Sequence, residues 1–360
     1  MVFKGLSLFA NVGIGETYLK DIGYPIVLAN ELIKERCKFY QHLNPEHTII
    51  QGDITNQKIF AEIIENAKNL NVNFILATPP CQGMSLLGKQ EDQDPRNLLI
   101  TTVIKAMVEL DPEFVLIENV PQMYQTKIDA YGTGEIITIQ DYLKNEALKL
   151  GYKIKFDIFN AAHYGTPQNR SRAFTRIYKN HYYWQDPVKQ KIITVKEAIG
   201  DLPSLESGEC GGIKHHKAKF HNKNEILWLK HTQSGKTSRD NHIHHPKTHK
   251  KGNNGEVISE KLKGFHSTYS RIAWDKPAPA ITMNNGSMGG QENVHPGREL
   301  PDGTYSDARV LTHLELFRLT GLPDNWNIPE WASDSMVRKV IGEAVPPILT
   351  KEIINTLELL

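Results

Sequence analysis

Cysteine is scarce in this chain: three in 360 residues, at Cys37, Cys81 and Cys210. That excludes a disulfide scaffold, and with no Cys-x-x-Cys pair a structural zinc ribbon is not expected either. No apolar run approaches the roughly 18 residues of a membrane span. The opening MVFKGLSLF has too short an apolar part for a secretion signal and lacks a small-residue cleavage site. A cytoplasmic, reducing setting without a membrane partner is therefore expected. Internal repeats are missing, and so is a global excess of one charge, the net being +1. With 23% charged and 39% hydrophobic residues the composition is that of an ordinary enzyme, not of a disordered or collagenous chain. The length allows two domains, or one with a large insert.

The small net charge hides a segregation. From Lys214 to Lys263 there are twelve Lys and Arg against four acids, which leaves thirty against thirty-seven elsewhere. A local basic field on a near-neutral molecule fits a polyanion docking at one place, and equally a solvated lysine-rich loop. Eight of the fifteen histidines share this stretch. Their spacing lacks metal-ligand regularity, so phosphate contacts or surface exposure are expected rather than a metal.

Residues 1–180 alternate strand and helix. VFKGLSLF, PIVLAN, TIIQGD, NVNFILAT and EFVLIENV read as strands, separated by helical stretches such as KIFAEIIENAKNL and NLLITTVIKAMVEL. This predicts an α/β fold with a mostly parallel sheet covered on both faces, whose ligands bind beyond the carboxyl ends of the strands. The turn around Gly13 and Gly15, Glu31, Asp53, Cys81 and Glu118 all fall at that edge. From 181 to 310 the pattern fails, and a smaller, irregular β-rich domain is expected there. Regular helix returns after 310.

One segment stands out chemically. In Thr78-Pro79-Pro80-Cys81-Gln82-Gly83-Met84-Ser85 a buried strand runs into two prolines that hold the chain rigid, and a cysteine follows at once. That is a way to mount a nucleophile beside a mobile loop hinged at Gly83 and Gly88. A lone cysteine is more often core packing, the reading that suits Cys37. A catalytic Cys81 needs positive or hydrogen-bonding neighbours to become a thiolate.

Pro-Pro-Cys-Gln at 79–82, Glu118-Asn119-Val120, Gln168 to Arg172 (QNRSR) and Gly342 to Pro347 (GEAVPP) resemble, in order, signature blocks of the DNA (cytosine-5) methyltransferase family. Gly52-Asp53-Ile54, Asp94 to Leu98 (DPRNL) and Arg271 to Thr282 (RIAWDKPAPAIT) resemble further blocks. The resemblance covers nearly the whole chain except about 181–265, where such enzymes carry a variable target-recognition domain. It implies a Rossmann-like S-adenosylmethionine-dependent fold of the restriction-modification type. It also implies a catalytic and cofactor-binding domain at 1–180, a small target-recognition domain at 181–310, a hinge at 311–331 and a return to the large domain at 332–360.

The resemblance further implies a mechanism. Cys81 would add to carbon 6 of a flipped-out cytosine, and Glu118 would serve ring nitrogen 3. Carbon 5 would take the methyl group, and Arg172 would hold the base oxygen. Arg170 joins this catalytic set, and with Gln168 it would shape the pocket and fix the nearby loop. Gln82, Ser85, Gln168 and Arg271 are expected toward double-stranded DNA. The cofactor S-adenosyl-L-methionine would meet Phe9, Asn11, Gly13, Gly15, Glu31, Asp53, Ile54, Pro79 and Leu98, with Glu31 bonding ribose hydroxyls eighteen residues after Gly13. A monomer with a separately encoded restriction endonuclease is expected.

Two departures from the family pattern are visible. The first block, FxGxGG, here reads Phe9-Ala10-Asn11-Val12-Gly13-Ile14-Gly15, as though one position were shifted or inserted. The late block has Glu343 where the pattern has asparagine. Rival readings explain less. A nicotinamide dehydrogenase needs GxGxxG, but this run ends in Tyr18. A transfer-RNA cytosine-5 methyltransferase would carry a Cys-Phe-Thr block, which is absent. A catalytically silent DNA-binding protein would not keep every catalytic residue.

Overall fold

The computed structural model describes residues 2–80, 94–251, 254, 256–261 and 265–360, the side chains of 248–251, 257–259 and 261 excepted. Cys81, Gln82 and Ser85 lie outside the described residues. Seven strands form the main sheet: β1 (Gly5–Leu8), β2 (Ile26–Glu31), β3 (Thr48–Gln51), β4 (Phe74–Ala77), β5 (Phe114–Asn119), β8 (Lys153–Asn160) and β9 (Ser171–Tyr178), in the order β3-β2-β1-β4-β5-β9-β8. The first five run parallel, and β9 is antiparallel to both β5 and β8. Two-residue strands β6 (Lys127–Ile128) and β7 (Ile137–Thr138) pair on their own. The expected α/β sheet is there, with the strand-to-helix alternation read from residues 1–180.

Both sheet faces are apolar because the parallel strands are apolar at almost every position. Over one face lie α2 (Gln57–Asn69), α3 (Leu99–Leu110) and α4 (Ile139–Lys149), packing Ile63, Val103, Met107 and Leu143 against Leu6, Ile75 and Ile117. Asn56 and Thr138 start α2 and α4 by accepting backbone N–H bonds on their side chains. The opposite face carries stacked Phe74 and Phe114, centroids 4.8 Å apart. It is closed by α9 (Pro347–Ile354) through Leu349, Ile353 and Ile354. Proline fills the first turn of α9, where its missing N–H costs nothing. Strand β13 (Leu357–Leu359) then pairs with β10 (Tyr182–Trp184).

Between 195 and 330 regular structure is thin. Helices α5 (Val195–Ile199) and α6 (Lys223–Lys230) are short, and among the described residues the strands are β11 (Lys247–Lys251) and β12 (Val257–Lys261), paired with each other. Isolated bridges replace ladders because carbonyls here are met by buried side chains. Arg271 alone donates to the carbonyls of Leu229, His295, Tyr305, Ser306 and Asp307. Residues 311–331 are tightly packed. Helix α7 (His313–Thr320) begins with a Thr312–Glu315 capping box, ends at Gly321 (φ 81°) and buries Leu314, Leu316, Phe317 and Leu319 against Val337 and Val340 of α8 (Asp334–Glu343). No helix among the described residues is long and apolar enough to cross a membrane.

Candidate active site

Glu118 is the penultimate residue of β5, in the middle of the sheet, and is buried. Its carboxylate lies 3.0 Å from Nε of Arg172 on the neighbouring strand β9. Burial pushes the Glu118 carboxyl up from its ordinary value, and the guanidinium groups of Arg172 and Arg170 pull it part of the way back. The result is a carboxyl that takes up a proton more readily than an exposed one and already faces a cation. Arg172 also donates from Nη1 to the Ser171 carbonyl, 2.7 Å away.

The next residue fixes the neighbouring strand end. Asn119 donates from Nδ2 to the Pro79 carbonyl (3.0 Å) and accepts from the Val120 amide (2.8 Å). Thr78 is tied to β1 through its amide on Leu8 O and its hydroxyl on Phe9 O, 3.1 and 3.0 Å. The Pro-Pro segment therefore leaves the sheet pinned from both sides, beside Glu118, two residues before Cys81. The sequence offered Asn119 only as part of a block and gave no sign of what Thr78 does.

Arg170 and Gln168 are buried, and Arg170 lies near enough to Glu118 to act on its carboxyl. Arg170 donates to the carbonyls of Ile281 (2.9 Å) and Gly342 (3.0 Å). Gln168, 1% exposed, donates to Leu319 O and accepts from the Ile281 amide. Each welds three distant segments together. The assignment of Gln168 toward DNA is corrected by its burial. The same correction holds for Arg271, 2% exposed and spent on backbone carbonyls. Gly342 explains why this weld is close: a Cβ there would meet the Thr282 carbonyl oxygen within 2.3 Å.

The basic stretch is likewise not all surface. His216 is fully buried between Thr312 Oγ1 and Pro203 O, His221 faces the Val310 amide, and Arg239 is buried with Nε 2.7 Å from Thr268 Oγ1. The other sequence signals in that stretch do not separate such interior groups from exposed ones. Among the described residues no cluster of His, Cys, Asp or Glu could hold a metal ion.

Along the same carboxyl edge of the sheet lies the glycine turn, after β1. Phe9 (φ 60°), Asn11 (φ 51°) and Gly13 (φ 83°) all adopt the left-handed conformation just after β1. No residue is inserted: Asn11 occupies the first glycine position of FxGxGG and tolerates its backbone, as asparagine can, and Ile14 occupies the third. Glu31 ends β2, is buried, and takes the amides of Asn11 and Ile33 at 2.9 Å each. It therefore shapes the turn as well as lining it. Gly15 packs closely on the late block, where a Cβ would lie 3.1 Å from Val345 Cβ. Asp53 is exposed and turns into α2 by accepting from the Thr55 amide and hydroxyl, with Ile54 buried beside it. Pro79 is buried and Leu98 is 40% exposed at the head of α3.

Set against known proteins, the chain matches the family model described as C-5 cytosine-specific DNA methylase over residues 3–358. It is 48% identical over 360 residues to the Type II methyltransferase M1.HgaI of Avibacterium volantium, covering 98% of each chain. It is 26% identical to the Type II methyltransferase M1.HphI of Haemophilus parahaemolyticus, covering 97% of this chain and 84% of that one. The solved structure of the Entamoeba histolytica methyltransferase EhMeth superposes with a TM-score of 0.64 at 13% identity, over 98% of this chain and 97% of that one, a likeness of fold.

Proposed function

The chain belongs to the C-5 cytosine-specific DNA methylases and is a DNA cytosine-5-methyltransferase of the restriction-modification kind; from that premise we propose that it methylates a cytosine flipped out of a short duplex site through a transient bond to Cys81. The observation that carries this reading is the buried Glu118 carboxyl, held by Arg172 beside a Pro-Pro segment that Asn119 pins two residues before the thiol. A base inside the stack is out of reach of these groups, so it must leave the helix, at about a few kcal/mol.

Thiolate addition to carbon 6 makes the ring electron-rich at carbon 5. Glu118, with its raised proton affinity, delivers a hydrogen bond or proton to ring nitrogen 3 and absorbs the charge that develops there. Arg172 is placed to turn from Glu118 to the base oxygen. Loss of the carbon 5 proton and departure of the thiolate then free the product. Gln82 and Ser85 belong to the loop expected to close over the base.

S-adenosylmethionine supplies the methyl group as a sulfonium leaving-group donor. The residues at the turn fit it. Glu31 at the end of β2 and Asp53 just beyond β3 are acceptors for hydroxyl and amino groups. Ile54 and Phe9 give apolar contact, and the buried Oδ1 of Asn11 lacks a partner among the described residues. A separately encoded endonuclease sharing the target site completes the proposal, in keeping with the Type II naming of its relatives.

Labelled methyl groups from S-adenosylmethionine should appear on cytosine in plasmid DNA, and bisulfite sequencing should give the site. Cys81→Ala should bind duplex DNA and transfer nothing, while a 5-fluorocytosine duplex should trap the native protein covalently. Full turnover by Cys81→Ala would remove the nucleophile assignment.

A further inference from the structure

Two of the positions at which this chain departs from its family's pattern meet in space. Asn11, standing for a glycine, and Glu343, standing for an asparagine, are 332 residues apart. Yet Asn11 Nδ2 lies 3.5 Å from Glu343 Oε2. Arg36 on α1 (Lys34–Leu43) grips the same oxygen at 2.5 Å, with both side chains mostly buried. The backbone of Asn11 is meanwhile held by Glu31, so this residue is fixed from two sides. Gly15 against Val345 is a second close approach between the same two segments.

The arrangement leaves two acceptors over. Asn11 Oδ1 and Glu343 Oε1 are both removed from solvent and have no hydrogen-bond partner among the described residues. Buried polar atoms are seldom left unmatched, and each one that is calls for a reason. An asparagine at 343 would present a donor and an acceptor, whereas a carboxylate presents acceptors only. What this corner lacks is a donor, and a cationic one suits a carboxylate whose own counter-ion, Arg36, occupies its other oxygen.

We infer that Glu343, held in place by Arg36, forms with Asn11 an acceptor pair for the ammonium group at the amino-acid end of the methyl donor. This rests on the cofactor reading above and narrows it to one group of the ligand. A carboxylate here would repel the donor's own carboxylate, so the pair also sets which way round the amino-acid end lies.

Calorimetry with three probes tests this: S-adenosylhomocysteine, its analogue lacking the amino group, and 5′-methylthioadenosine, which lacks the whole amino-acid end. The native protein should prefer S-adenosylhomocysteine over the desamino analogue by about tenfold or more, since a charge-assisted bond is at stake. Glu343→Gln should bring that ratio close to one and leave 5′-methylthioadenosine binding unchanged. Arg36→Gln should lower the ratio too, and serves if Glu343→Gln does not fold. An unchanged ratio in both variants, or an equal loss for all three probes, overturns the inference. Failure of the native protein to bind any of the three would instead overturn the cofactor reading beneath it.

Discussion

In the sheet, amides and carbonyls of β1, β2, β4 and β5 pair strand to strand, and the side chains between them are Leu, Ile, Val and Phe. Between 195 and 330 the backbone pairs through turns and isolated bridges instead of ladders, and several of its carbonyls are met by guanidinium groups. Arg271 serves five carbonyls, Arg309 binds Glu315 through two bonds and also reaches Asp307, and Arg338 holds Leu311 O. His295 is shut in beside Asp307 and Glu315, where burial drives its ring down to about 3, so it stays neutral. The difference teaches where variation is cheap. A ladder fixes the chain path through every residue and suits a site that must not move. A path held by isolated bridges and a few buried cations leaves the loops between them freer to differ.

The sharpest way to break the comparison is at Arg309, fully buried with Glu315 and Asp307. Arg309→Met strands two buried carboxylates and should cost about 3–5 kcal/mol, whereas Arg309→Met with Glu315→Leu should cost less than Arg309→Met alone. Urea unfolding checks both, and equal losses would mean that the network is not the support described. Next comes Glu118, which should matter for chemistry and little for folding. Glu118→Gln should lower single-turnover methyl transfer by about a hundredfold, near 2.7 kcal/mol of barrier, with the melting point nearly unmoved. A comparable fall in S-adenosylmethionine affinity would make it a structural group instead.

A third test concerns pH. Glu16, behind the glycine turn, is pushed up to about 8 by burial, partly offset by the nearby Tyr40 and Ser7 hydroxyls. Its folded value lies above its unfolded one, so it contributes stability below about 4.5 that is lost as pH rises toward 8. The slope is at most about 1.4 kcal/mol per pH unit. Glu16→Gln should flatten that slope in denaturant midpoints taken at pH 5 and 8, and parallel curves would contradict it. The smallest effect is expected from trimming the sheet core. Ile177→Val, in a fully buried position of β9, should cost about 1 kcal/mol and leave site choice untouched.

How much of this was legible beforehand follows the same division. The strands and helices of residues 1–180 could be read because apolar runs and turn residues act locally, and Glu118, Arg172, Glu31 and the glycine turn fell where strand ends put them. Arg271 and Gln168 misled because a basic or polar residue looks the same in sequence whether it faces phosphate or five carbonyls. Arg36 carried no signal at all, since its partner is 307 residues away. Glu343 did carry one, as a mismatch, but its meaning appeared only when the chain brought Asn11 beside it.

The closing of the second sheet face by α9 has a consequence for how the molecule is made. Phe74 and Phe114 emerge from the ribosome long before Leu349 and Ile353, which cover them, and Gly342, which Arg170 grips, comes late as well. Until residues 347–354 are made, a nascent chain therefore carries Phe74 and Phe114 without that cover, and the weld between Arg170 and Gly342 waits on the same late stretch.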